Sequence, residues 1–393
     1  MKHRPGVRPR NFEHTTENAE DRSSGIQNLE TGIRARVSRI PNSRFRIPNS
    51  MCSVVHALVI LSAVTLGIRL VTASAPVLIA IASSAPANSL WDKVLQEMGQ
   101  DWQTASGGNV RLRMLRAQGD ESTIIKKMQI SNQLQAATLT GIGLSEIDPA
   151  FNVFGIPLFY DSYDEFFAVQ DALTPMLKAR LDAKGLVMVH WGHAGWVQVF
   201  SKKPVQSVGD LKALKLFTSA ATGDDSLVQW YKNNGFKPVP LAPTDMAAAL
   251  QQGMIEAVPA PPLIAFALMW YTSTPYMLDL GLAPLTGATI VTKKTWNDVP
   301  EADRPKLLDA ALKAQKRLRS EVPGQDAGAV TEMTKKGLKV IKADLSSPKS
   351  EWRIEAEKFA SSMRGGLVPA DIFDAAIKER DSHRKQHPPR GGR

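Results

Sequence analysis

Cysteine is nearly absent: Cys52 stands alone among 393 residues. One thiol excludes an intramolecular disulfide and any cysteine-based zinc site. A Walker-type phosphate loop, a GxSxG elbow, a Cys–His pair and an HExxH helix are all missing. Hydrolytic and phosphoryl-transfer chemistry therefore lack their usual motifs. The apolar run at residues 54–68 falls short of the roughly twenty residues that a membrane-spanning helix needs. No basic stripe falls on a recognisable nucleic-acid motif. The formal charge of +10 sits at the two ends: residues 1–50 hold ten Lys/Arg against five Asp/Glu, and residues 376–393 hold six against two. Residues 51–375 are left near neutrality, so the pI of 9.6 says little about partners, and no nucleic acid is expected.

What is present fits a soluble globular chain long enough for two domains: 43% hydrophobic residues and a mean hydropathy of -0.17. Residues 1–50 show no apolar period and read as a disordered basic leader. Met51 opens a different composition. The run at 54–68 has the length of a secretory h-region, and Val71-Thr72-Ala73 or Ala73-Ser74-Ala75 would serve as a small-x-small cleavage site. Residues 51–75 are therefore expected to be a signal peptide, with translation beginning at Met51 and the mature chain in the periplasm.

The remainder alternates strand and helix. Residues 77–82 (VLIAIA) read as a strand buried on both faces, and Ser89 reads as the N-cap of a following helix. Residues 207–262 hold a compact β-α-β-α-β unit, with strands at 214–218, 237–241 and 254–258 and helices at 224–234 and 245–252. In such units ligands gather beyond the carboxyl ends of the strands. Two units of the same rhythm predict an α/β fold of two lobes with a cleft between them. The expected division is 76–194 with 286–325 for one lobe and 195–285 with 326–381 for the other. A disordered tail is expected over 382–393. Residues 192–195 and 282–287 are the expected hinges, and Pro323-Gly324 is expected to break a long helix starting at 301.

From residue 77 to residue 378 the chain resembles the periplasmic solute-binding subunits of TRAP (tripartite ATP-independent periplasmic) transporters, the DctP-like group. The carrying segments are GDE at 119–121 with KKMQISNQLQAATLTGIGLSEI after it, FGIPLFYDSYDEF, SKKPVQSVGDLKALKLF and PVPLAPTDMAAALQQGMIEAVPAPP. The resemblance implies a two-lobed periplasmic-binding-protein-like fold with crossover strands and a long linking helix. It also implies closure on a small organic ligand, a carboxylate or an aromatic compound, and delivery to a TRAP-type membrane permease. A monomer that is not an enzyme is expected. An enzyme on this fold, or a receptor for a signalling partner, is the alternative. The family's usual carboxylate-binding arginine falls at Phe217, a second arginine falls near Trp196 or Val197, and the usual glutamate and asparagine fall at Pro259 and Ala260. The bidentate clamp that such an arginine makes is thus replaced by apolar groups.

Candidate ligand contacts follow. Trp191, Trp196 and Phe217 are expected pocket walls, and Trp230 is a further aromatic candidate. Thr218 can supply a hydroxyl. Asp120 and Asp224 sit at helix entries, where a carboxylate also serves as a cap. Pro259 and Pro261 belong to a rigid loop at a strand end. No cofactor or metal is expected. His190 and His193 have HxxH spacing, but on a strand that spacing puts them on opposite faces.

Overall fold

The computed structural model describes residues 75–115, 119–130, 133–219 and 226–387. The expected leader, all but the final residue of the signal segment, the candidate Asp224 and residues 388–393 lie outside that set. The described elements fall within one unit, Ala73–Arg393.

The first lobe is built from β1 (Val77–Ser83), α1 (Leu90–Ala105), β2 (Val110–Leu115), α2 (Glu121–Ile130), β3 (Ala136–Thr140), α3 (Gly141–Ile147), a 3₁₀ helix (Pro149–Gly155), α4 (Tyr163–Ala183) and β4 (Leu186–Trp196). The apolar β1 lies between β2 and β3, as a strand buried on both faces must. Ser89 caps α1 by accepting from the Asp92 N–H. The chain then crosses into β5 (Gln198–Ser201), α5 (Val208–Ala213), β6 (Lys215–Ser219), α6 (Ser226–Asn233), β7 (Lys237–Leu241), α7 (Met246–Gln252), β8 (Ala257–Ala260), α8 (Pro262–Ala267) and β9 (Tyr276–Asp279). It returns as β10 (Pro284–Thr292) and α9 (Lys293–Asp298), then runs through α10 (Arg304–Lys335), β11 (Lys339–Lys342), α11 (Glu351–Met363) and α12 (Ala370–Gln386).

The five-stranded sheet of lobe I has the order β2-β1-β3-β10-β4, with β10 antiparallel to both neighbours. The six-stranded sheet of lobe II has the order β11-β9-β5-β8-β6-β7, with β5 antiparallel to β8 and β9. The strands that carry the chain between lobes sit side by side in each sheet. At the crossing Val197 donates to the Ala283 carbonyl (2.8 Å), and Leu282 donates to the Val197 carbonyl (2.9 Å). The turnover is therefore centred on residues 196–198 and 280–284, just beyond the expected 192–195 and overlapping the expected 282–287.

Three expectations need correction. The Pro323-Gly324 pair does not end the helix: α10 runs unbroken with Pro323 inside it. Proline removes one N–H. Burial of Leu318 and Val322 against lobe I, and of Ala329 and Met333 against lobe II, carries the helix through. Residues 326–381 do not all belong to lobe II. Trp352 of α11 joins the core of lobe II, but Phe359 and Met363 at its other end, and Ile372, Phe373 and Ala376 of α12, join the core of lobe I. Nor does order end at Ser382, because α12 continues to Gln386. The Arg384 guanidinium makes two hydrogen bonds of 2.8 Å to the buried Glu165 carboxylate of α4, which ties down that last stretch.

Candidate functional site

The strand directions decide where a ligand can sit. In lobe I the carboxyl ends of β1, β3 and β4 lead to residues 84–89, to Thr140 and to Trp196. In lobe II the carboxyl ends of β6 and β8 lead to Ser219 and to Pro261. A cavity of about 410 Å³ opens beside these edges. Its lobe I wall is the 86–89 loop and the first turn of α1 (Leu90, Trp91 and Lys93), with His193 and Ala194, and its lobe II wall is Leu263, Ile264 and Ala267 of α8. Arg317, Glu321, Val322 and Gln325 of α10 close the third side. Both lobes thus contribute to one space.

Trp91 dominates the lobe I wall. Gly192 and Gly287 face each other across the β4–β10 pairing. A Cβ on either would overlap the Trp91 ring, so the two glycines let the indole lie flat on the sheet. Trp91 is 4% exposed, and its Nε1–H has no acceptor among the described residues. An indole N–H can only donate, and leaving it unmatched in a buried place costs about 1–3 kcal/mol. The Ser84 and Thr218 hydroxyls, one at the β1 edge and one in β6, are also buried and unmatched. These donors sit on the strand edges where the fold gathers ligands.

The two histidines of β4 are separate cases. His190 lies in a closed hydrogen-bond chain, with Nδ1 to the Trp191 carbonyl (2.8 Å) and Nε2 to Thr289 Oγ1 (3.0 Å). Thr289 Oγ1 in turn meets Thr138 Oγ1 at 2.8 Å. Burial holds its pKa down at about 4. His193 packs edge-on against Tyr163 and Phe167 of α4, and its ring makes no hydrogen bond of ordinary geometry. Burial, aided by the nearby Arg319 charge, lowers its pKa to about 3. Both rings are therefore neutral near pH 7. Among the described residues no group of three or more His, Cys, Asp or Glu could hold a metal ion.

The candidate residues divide. Thr218 stands at the lobe II edge, and Pro261 turns the chain from β8 into α8 with its carbonyl accepting from Ile264 and Ala265. Trp196 ends β4 at the crossing, stacked edge-on to Tyr163 at 4.9 Å, with its Nε1–H unmatched. Asp120 accepts from the Thr123 N–H at 2.8 Å and so caps α2; those bonds hold its pKa below the usual carboxylate value. Three aromatic candidates belong to packing rather than to a ligand wall. Trp191 is 3% exposed, sits edge-on to Phe151 and Phe154, and donates to Thr174 Oγ1 at 2.9 Å. Phe217 points into the lobe II core with Phe200, Met246 and Leu250, because strand alternation turns it away from the Leu216 face. Trp230 packs edge-on against Phe359 of α11 at 4.6 Å. Pro259 lies with Trp230 around a separate apolar space of about 80 Å³.

Sequence reasoning placed Glu121 beside Asp120 at a helix entry and counted Trp91 among the tryptophans, but it left Ser84 and Asp326 unnamed. Glu121 is the cap of α3: it accepts from the Thr140 N–H (2.6 Å), the Thr140 hydroxyl (2.7 Å) and the Gly143 N–H (2.8 Å). Ser84 was hidden because a lone serine carries no pattern. Asp326 was hidden inside a helix. It accepts from the Trp196 N–H (2.8 Å) at the end of β4 and from the Leu263 N–H (2.9 Å) in α8. The paired glycines at 192 and 287 were the available signal for Trp91, since a close approach to backbone needs them.

Two α/β lobes, adjacent strand crossings, a spanning helix and a shared cavity define the periplasmic-binding-protein class of fold. The chain belongs to family 7 of the bacterial extracellular solute-binding proteins, the DctP family, whose model matches residues 81–362. A solute-binding protein of Verminephrobacter eiseniae is 24% identical over 274 residues, which is 69% of this chain and 81% of that protein. The ectoine/5-hydroxyectoine-binding periplasmic protein of Ruegeria pomeroyi is 26% identical over 51% of this chain and 58% of its own length. Five further curated relatives are spanned over 50% to 60% of their own lengths. Among solved structures, a TRAP periplasmic solute-binding protein of Polaromonas bound to D-erythronate superposes with a TM-score of 0.68 at 20% identity, over 76% of this chain and 97% of that one. A Bordetella pertussis solute receptor binding pyroglutamic acid gives 0.68 at 18% identity, over 77% and 99%.

Proposed function

We propose that this protein captures a small organic solute between its lobes, outside the cytoplasm, and delivers it unchanged to a TRAP-type membrane permease. The observation that carries the reading is the cavity walled by both lobes and α10. Apolar Leu263, Ile264 and Ala267 would cover one face of the solute, and the polar groups of α10 would meet its other side. Related structures bind D-erythronate and pyroglutamic acid, and a solute of that size suits the space. The resemblance implies a guanidinium clamp at Phe217, yet that ring belongs to the lobe II core. A carboxylate, if the solute has one, is held by another group. The working unit is a monomer that closes by bending where Val197 meets Leu282 and Ala283. Native mass spectrometry of freshly purified protein tests this directly: a bound small molecule is expected, recovered chemically intact. X-ray scattering should then show compaction on adding it back. Absence of compaction across a panel of organic acids, sugar acids and aromatic solutes would sink the reading.

A further inference from the structure

The hinge contains a charged group that simple packing does not require. Asp326 sits where the long helix passes from one lobe to the other, between Val322, buried in lobe I, and Ala329, buried in lobe II. It is 7% exposed. Its two oxygens divide between the lobes: Oδ2 accepts from Trp196, the last residue of β4, and Oδ1 accepts from Leu263 of α8. Space for it is provided by Gly195, where φ is +113° and a Cβ would stand 2.5 Å from Oδ2. An L-residue at 195 would be strained there and would collide with the carboxylate as well.

We propose that Asp326 is the positioning residue of the hinge, a carboxylate clasp that holds the lobe I crossing strand, lobe II and α10 in one relative orientation. This rests on the reading of the protein as one whose lobes move relative to each other. Two neutral N–H donors match the two oxygens, and no cation pairs with them in the described residues. The same backbone donors would suit a neutral acceptor at lower desolvation cost, so the charge has a use other than stability. Burial raises the Asp326 pKa to about 6. A state in which the lobes part and water reaches the carboxylate binds that proton less tightly, so the clasp is expected to loosen as pH rises through about 6.

The groups facing it leave this titration isolated. Tyr163 of α4 senses its charge, and burial together with that charge pushes the phenol further up, so it stays protonated. His193 of β4 is held neutral with a pKa of about 3. The α8 segment PLIAFA has no titratable side chain. On α10 itself, Arg319 is paired with Asp171, and Arg317 with Glu97 and Glu321.

The test uses the full chain with spin labels on Lys178→Cys in lobe I and Lys232→Cys in lobe II, both exposed, in a Cys52→Ser background. Distance distributions are recorded without solute between about pH 5 and about pH 8. The expected result is a distribution that broadens as pH rises, with a midpoint near the Asp326 value, and an Asp326→Asn chain whose distribution does not change with pH. Identical pH responses in both chains would assign the switch to another group and overturn the proposal while leaving lobe motion intact. A wild-type distribution unchanged by pH also overturns it, with no need for the variant to fold. If that distribution still responds to the co-purified solute, capture by lobe closure stands and only the clasp fails. If it responds to neither, both readings fail.

Discussion

The two lobes share an architecture but not a manner of packing. Of the largest side chains with almost no exposure, Trp102, Tyr160, Phe151, Phe154 and Phe166 all belong to lobe I, and Phe200 alone belongs to lobe II. Lobe I interlocks its rings edge to face, as in Phe154–Phe166 (5.7 Å) and Tyr160–Phe166 (5.2 Å). Lobe II instead ends its sheet with β7, where Pro238 and Pro240 cannot donate to a further strand. It fills its core with Met246, Leu250, Met277 and Met333. Methionine is unbranched and adapts to its neighbours. The contrast is one of degree: buried methionines occur in both lobes, with Met98, Met128, Met188 and Met363 in lobe I, but they form a larger share of the smaller lobe II core.

Core truncation should expose that contrast most strongly. Phe166→Ala is expected to lose about 3–5 kcal/mol in chemical denaturation, and Phe217→Ala in lobe II distinctly less, because methionines can move into the gap. Equal losses would erase the distinction. Next in size is a pH effect from the junction. Asp326 has a folded pKa of about 6 against an ordinary 3.8, so the native chain holds this proton more tightly than the unfolded chain. Its stabilising contribution is full below about pH 4 and is lost as pH rises through about 6, an amount of roughly 3 kcal/mol. Urea melts across that window should slope downward with rising pH, and Asp326→Asn should flatten the slope. Thr218→Val removes an unmatched buried hydroxyl from lobe II. Stability should rise by about 1 kcal/mol while solute affinity, read by calorimetry, falls. A rise in stability with unchanged affinity would remove Thr218 from the site. The smallest effect is expected at the exposed edge of lobe II, where Pro240→Ala should cost about 0.5 kcal/mol, through the unfolded chain alone.

Much of this arrangement was readable from residues 77–82 and from the β-α-β rhythm of 207–262, because burial on two faces and short connections leave few alternatives. The strand crossings were legible to within a few residues through their glycines. The aromatic candidates were not, since Trp191 and Phe217 point into cores for reasons of strand parity that only the register reveals. Asp326 was illegible for another reason: its partners are backbone groups 130 and 63 residues away. Local pattern does not encode pairings at that range. Pro323 misled because its propensity is local, whereas the burial that overrides it is tertiary.

The path of the C-terminal helices has a consequence for how the molecule is made. Lobe I begins with β1, yet its core is closed by Ile372, Phe373 and Ala376 of α12, after the chain has visited lobe II and returned. The aromatic layer around Phe151 and Phe166 therefore has no lid until nearly the whole polypeptide is available. Most of lobe II lies in one stretch from β5 to β9 and can pair its strands locally. Assembly should start in lobe II and finish in lobe I. Until then an emerging chain leaves that aromatic layer open to solvent, the kind of surface on which incomplete chains aggregate.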